Sequence, residues 1–214
     1  MIGPLAVAAS EPDLLAEAVA ACGADLLVTP PRCGRDLAGV AGAALADALT
    51  AVAPRHRATV PIVLAVSGPT IAAASGFAAR CLDTSRRLRP SESVRMEMAE
   101  LVRAFGVATG WRGPCYLLAT VGVDGRQAVL AAAALRRRHP AVLVGELLAD
   151  AVPTGGAAGR DGAVPGILAV VAPVAAELSE LTSSEVDDCT PRPADRPAGS
   201  VLLALAARPL AVRG

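Results

Sequence analysis

Apolar runs of strand length alternate along this chain with longer alanine-rich segments of helical length, and this alternation restricts the fold more than any other feature. The strand candidates are Pro4–Ala8, Leu26–Thr29, Ile62–Val66, Tyr116–Thr120, Val142–Glu146, Ile167–Val171 and Val201–Ala206. Between them, helices are expected near Asp13–Ala21, Leu37–Val52, Ser93–Phe105 and Gly125–Arg138. Such a pattern belongs to an α/β layered domain. Hydrophobic residues make up 53% of the chain but aromatics only 2%. The core therefore has to be built from Ala, Val and Leu, whose small side chains permit close approach of helices and sheet. A chain of 214 residues is long enough for one domain with a sizeable core, taken as residues 1–214.

Charge and cysteine usage exclude several classes of function. Lys plus Arg number 20 and Asp plus Glu number 20, so no basic field exists to condense a nucleic-acid backbone or an anionic membrane surface. Every basic residue is Arg, and Ala, Gly and Pro are abundant, a bias in composition that removes the weight from Arg clusters. The longest apolar run, Ala163 to Ala176, is interrupted by Pro165, Gly166 and Pro173 and is too short to span a bilayer. Met1 to Ala9 lacks a basic leader and runs into Glu11-Pro12-Asp13, so a first strand is expected there and the cytoplasm is the expected location. Cys22, Cys33, Cys81, Cys115 and Cys189 form no C-x-x-C pair and show no ligand spacing for zinc. They read as reduced structural thiols, and neither a metal nor a cofactor is expected.

Local signals refine this picture. Asp124 with Gln127 fits a capping box at the start of the fourth helix. Ser91 or Ser93 is suited to start the third, in which Val94, Met98, Leu101, Val102 and Phe105 fall on one face while Met96 points the other way. Arg136–Arg138 reads as the solvated end of the fourth helix, where positive charge suits the dipole. The glycine-rich stretch Gly155–Gly159 lacks the G-x-x-x-x-G-K spacing of a phosphate cradle and reads as a linker, and Thr190–Gly199, rich in proline, as irregular.

From Phe105 to Leu147 the chain resembles the nucleophile region of the β-ketoacyl synthases, members of the thiolase-like fold. Gly110-Trp111-Arg112-Gly113-Pro114 is similar to their G-x-R-G-P motif, Thr120-Val121-Gly122-Val123-Asp124-Gly125 to their T-A-C-x-S-G elbow, and Val142-Leu143-Val144-Gly145 to the strand ending in V-G-G. Pro191 to Arg196, Gly199 and the run Val201–Ala206 are similar to a later passage of the family, without its Gly-Glu-Gly. The resemblance covers roughly residues 45–207 and is strongest from Gly110 to Gly145. It implies a mixed sheet of about five strands flanked by helices, with the small-residue helix Gly125–Leu135 buried centrally.

The same resemblance implies a silent site. An elbow presents a nucleophile at a sharp strand-to-helix turn, where the helix amino end favours a thiolate and backbone amides bind an oxyanion. Gly122 stands where the family has cysteine. Two histidines also serve the family's decarboxylative condensation, whereas His56 and His139 lie in contexts that match neither histidine motif and read as surface residues. Family members carry two pseudo-repeated halves, of which this chain supplies roughly one. The implied role is that of an inactive, chain-length-factor-like subunit of a type II polyketide synthase. It would form a heterodimer with a full-length ketosynthase and shape the tunnel for a polyketide or polyene chain carried by acyl carrier protein. Candidate tunnel or interface residues are Met96, Trp111, Cys115, Tyr116, Leu117, Leu118 and Thr120, with Cys115–Thr120 pairing antiparallel to the partner's equivalent strand.

Plainer readings stand beside these. Trp111 and Met98 suit packing, and Cys115 suits a buried thiol because a strand interior offers no helix dipole or basic neighbour to ionise it. A rival from another class is a cysteine-independent acyl-thioester decarboxylase or acyltransferase of the thiolase fold. A third is a homodimeric scaffold for acyl carrier protein, for which Arg86, Arg87 and Arg89 offer a basic surface.

Overall fold

The computed structural model describes residues 2–22, 26–28, 37–67, 81–82, 85, 87, 99–119, 125–151, 166–176, 184 and 200–207. Its strands are β1 (Leu5–Ala9), β2 (Leu26–Val28), β3 (Ile62–Ser67), β4 (Cys115–Ala119), β5 (Leu143–Ala151) and β6 (Gly166–Pro173). Its helices are α1 (Pro12–Cys22), α2 (Leu37–Thr50), α3 (Pro54–Arg57), α4 (Glu100–Thr109), α5 (Gly125–Arg136) and α6 (Val201–Ala206). The strands form one mixed sheet in the order β2-β1-β6-β5-β3-β4. β6 runs antiparallel to both its neighbours, β1 and β5, while β3 is parallel to β5 and β4, and β2 is parallel to β1. The expected body of about five strands is therefore present, and β2 extends it at one edge.

Strand alternation sorts the core into two faces. Leu5, Val7, Val63, Ala65, Val144, Leu148, Leu168 and Val170 point to one side, where α1, α5 and α6 cover them. Ala6, Ala8, Ile62, Leu64, Leu143, Leu147 and Val171 point to the other, against α2, α4 and Trp111. Burial on both faces is why these strands read as continuous apolar runs and not as alternating ones. Alanines Ala41, Ala44 and Ala48 of α2 and Ala128, Ala132 and Ala133 of α5 line the contact faces and are buried. Val40, Leu45 and Leu49 of α2 and Val129 of α5 share those faces, and the methyl groups at the alanine positions let both helices lie close upon the sheet.

Two elements depart from the sequence reading. Val201–Ala206, expected as a strand, is helix α6. A run of apolar residues this short carries no period to decide between the two. What decides is the capping: Ser200 has extended backbone, its hydroxyl accepts from the Leu203 amide, and further amides of the first turn are taken by a carboxylate from β5. The short helix α3 was not expected; Pro54 starts it, and Arg57 reaches back to the carbonyls of Thr50 and Val52 just past the end of α2. The described part of the third expected helix, α4, runs on past Phe105 to Thr109, and Leu101, Val102 and Phe105 form its buried face as the spacing requires. Asp124 of the expected capping box lies outside the described residues.

Candidate functional site

The segment that launches β4 shows what the G-x-R-G-P pattern does physically. Gly110 ends α4 in the left-handed conformation, φ 71°, which turns the chain sharply at no steric cost. Trp111 then folds back into the core, 9% exposed, with its ring centroid 5.6 Å from that of Phe105. Its indole N–H donates to the Val60 carbonyl at 2.8 Å. Next, the Arg112 amide donates to the Ala58 carbonyl at 2.8 Å, and Pro114 accepts from the Ile62 amide at 3.0 Å. Gly113 lies in the angle between these contacts: a Cβ there would sit 2.7 Å from Trp111 Nε1 and 2.9 Å from the Thr59 carbonyl carbon. Residues 110–114 thus clasp residues 58–62 and set β4 in register with β3 from its first residue, Cys115 opposite Ile62. The Arg112 side chain stays exposed.

β4 is the last strand of the sheet, and among the described residues no strand pairs with its outer side. In a parallel ladder each residue turns its N–H and C=O to the same side, alternately. The Ile62-to-Pro114 bond fixes the phase: Tyr116 and Leu118 turn their backbone groups to β3, and Cys115, Leu117 and Ala119 turn theirs outward. Tyr116 is 43% exposed, a large apolar ring at an open edge. Cys115 and Leu117 are half-buried on the α2–α4 face, and Leu118 on the opposite face. Beside the start of β4 an open groove of about 520 Å³ is lined by Val102, Gly106, Val107 and Trp111, with Val107 80% exposed.

Of the residues singled out from sequence, Trp111, Cys115, Tyr116, Leu117 and Leu118 are brought together on β4 and its approach. Trp111 points inward, so its indole is a core anchor. Burial pushes the Cys115 thiol up to about 11, which keeps it protonated near neutrality and unsuited to nucleophilic attack. Met96, Thr120 and the degenerate elbow residue Gly122 lie outside the described residues, as do Arg86 and Arg89. His56 sits on α3, where its Nε2 accepts from Arg55, and His139 follows α5. Among the described residues no group of three His, Cys, Asp or Glu could hold a metal, and no helix is long and apolar enough to cross a membrane.

One functional candidate escaped the sequence reading. Glu146, on β5, is fully buried, with its carboxylate accepting from the Ser200 hydroxyl and the amides of Val201 and Leu202. At the end of an expected strand a carboxylate reads as solvated. The available signal was the apolar pair Leu147-Leu148 after it, which places Glu146 inside the run and not at its end.

Comparison with known proteins locates this architecture. No family model matches the sequence, and no curated protein does. Among solved structures, a chain of the ketosynthase ApeO in complex with its chain length factor ApeC, from Xenorhabdus doucetiae, matches with a TM-score of 0.55 at 11% identity. This is a ketosynthase and chain length factor fold. The match takes in 81% of this chain and 77% of that one, so the two chains are of similar length. A chain of the ishigamide ketosynthase/chain length factor also matches, with a TM-score of 0.45 and 19% identity, over 66% of this chain and 42% of that one. The expected thiolase-like α/β architecture, a mixed sheet between helical layers, is the architecture found.

Proposed function

We propose that this chain is a chain-length-factor-like subunit, one ketosynthase-like unit over residues 1–214, that pairs with an active ketosynthase and shapes its acyl tunnel without catalysing condensation itself. The observation that carries this reading is the edge of β4, which no strand pairs with among the described residues. A sheet edge with outward-facing backbone groups is a template for another strand, and proteins that do not use such an edge cover or charge it. Here the edge is instead edged by Tyr116 and by half-buried Leu117 and Leu118, with no charged residue within Cys115–Ala119. An antiparallel partner strand laid there would hide both edges and bring Tyr116 under cover. The structural likeness to a ketosynthase and chain length factor complex supports a ketosynthase as that partner.

Catalytic silence rests on two features of different kind. Glycine at position 122 removes the sulfur from the position that the resemblance gives to the nucleophile, and the raised Cys115 thiol offers no substitute. The contribution left to the chain is steric. On this reading side chains near Ser93–Met98 and Cys115–Gly122 would define the far wall, and their volume would decide when an acyl chain delivered by acyl carrier protein no longer fits.

The test uses the orientation of β4. Leu117 turns its N–H outward, so Leu117→Pro removes one edge donor while leaving the ladder to β3 in place. Co-expression with the cognate ketosynthase is expected to give a complex and a condensed product of defined length. Leu117→Pro is expected to abolish the complex, and Leu117→Ala, which keeps the donor, to retain it. The reading fails if the ketosynthase yields the same product alone, if Leu117→Pro co-purifies normally, or if mass spectrometry finds a cysteine of this chain acylated by a carrier thioester.

A further inference from the structure

Buried polar side chains among the described residues are confined to Glu146 and Ser200, each 0% exposed and bonded to the other at 2.5 Å. Their location follows from alternation along β5. Val144, Glu146 and Leu148 share the face that carries α5 and α6, so the carboxylate enters the core directly beneath both helices. A carboxylate taken out of water persists only where donors replace its hydration. Two such donors come from one short segment: the Val201 amide reaches Oε1 at 3.1 Å, and the Leu202 amide reaches Oε2 at 2.9 Å.

The opposite flank of the carboxylate touches a different helix. Gly125 is the first residue of α5, and a Cβ built on it would collide with Glu146 Oε1 and stand 2.6 Å from Cδ and 3.1 Å from Cγ. Glycine at 125 is therefore a consequence of glutamate at 146. The helix amino end lies on the carboxylate itself, a placement favoured by the helix dipole.

We propose that Glu146 is a positioning residue that couples the start of α5 to the start of α6. Its carboxylate fixes how closely α5 begins against the sheet, and the same group is held by a segment 54 to 56 positions further along the chain. Gly122 precedes α5 by three positions in the sequence, so the helix start that Glu146 touches is the one that follows the position the resemblance gives to the nucleophile. The coupling is internal to the chain; only its consequence for tunnel shape rests on the subunit reading above.

Amide hydrogen exchange on the full chain tests it, with Gly125→Ala, Glu146→Ala and the double variant. A methyl group at 125 has to displace the carboxylate, so Gly125→Ala is expected to speed exchange at Val201 and Leu202 by about tenfold or more, the measure of a charged hydrogen bond lost. In the Glu146→Ala background the same substitution is expected to add nothing, because the obstacle is gone. Equal effects in both backgrounds, or no effect at 201 and 202, overturn the proposal. Should Gly125→Ala fail to fold, Ser200→Ala serves instead: it is expected to raise exchange at Val129 and Leu130 in α5, and a change limited to α6 reduces Glu146 to a local cap. Co-purification with the ketosynthase reads the other hypothesis. Loss of complex with the coupling intact sinks the interface alone, and a complex that forms while exchange shows no coupling sinks this inference alone.

Discussion

Replacing Trp111 separates the two ways in which the clasp before β4 holds. Trp111→Phe keeps an aromatic ring near Phe105 but removes the N–H donated to Val60, whose carbonyl then lies unsatisfied at a residue only 2% exposed. Stranding a buried acceptor costs about 1–3 kcal/mol. Trp111→Ala removes the ring as well and opens a cavity between Phe105, Gly106 and Gly113, and aromatic-to-alanine changes in cores cost about 3–5 kcal/mol. In a chain of this size each kcal/mol moves the thermal midpoint by about 2–4 °C. The Phe variant is thus expected to melt several degrees low, and the Ala variant about 10 °C low or more. Thermal and urea unfolding by circular dichroism measure both. Exchange at the Ile62 amide, bonded to Pro114 at 3.0 Å, reports whether β4 has loosened from β3. A Phe variant as stable as the parent would refute the reasoning, since ring packing alone would then hold the clasp.

Other expectations follow from single contacts. Cys115, with its thiol near 11, carries about one thiolate in a thousand at pH 8, so iodoacetamide is expected to label exposed Cys81 before Cys115, as peptide mass spectrometry would record. Because folding raises that thiol from 9.0 to about 11, its contribution to stability is complete below pH 9 and is lost as pH climbs toward 11; Cys115→Ala is expected to lack that decline in urea midpoints. Arg57→Ala removes bonds of 2.7 and 2.8 Å to the carbonyls of Thr50 and Val52 and is expected to cost about 0.5–1.5 kcal/mol in urea unfolding. Met96→Trp is expected to shorten the products of the reconstituted complex, and unchanged product length by mass spectrometry removes Met96 from the wall.

Much of the fold could be read from spacing. β1 to β4 lie within a residue of their expected ends, and the extents of α1, α2 and α5 differ from expectation by at most a turn. β5 and β6 run longer because their mutual pairing extends beyond the apolar runs, through a register shift between Leu148 and Ala151. The strip Gly110–Pro114 was legible as a motif, but not its mechanism. Spacing marks the glycines, whereas the reason for Gly113 is the Trp111 ring and the Thr59–Val60 backbone, which arrive from another part of the chain.

Residue order alone determined that a sheet of apolar strands would be wrapped by close-fitting alanine-rich helices, because hydrophobic run length and helical period are local properties of the chain. Tertiary structure alone decided that β4 would be an edge of the sheet among the described residues, that Val201–Ala206 would form a helix, and that Glu146 would lie buried between two helix starts. Each of these depends on which distant backbone donors and neighbours surround a group, and a lone carboxylate or a short apolar run has the same sequence whether those partners come to it or not.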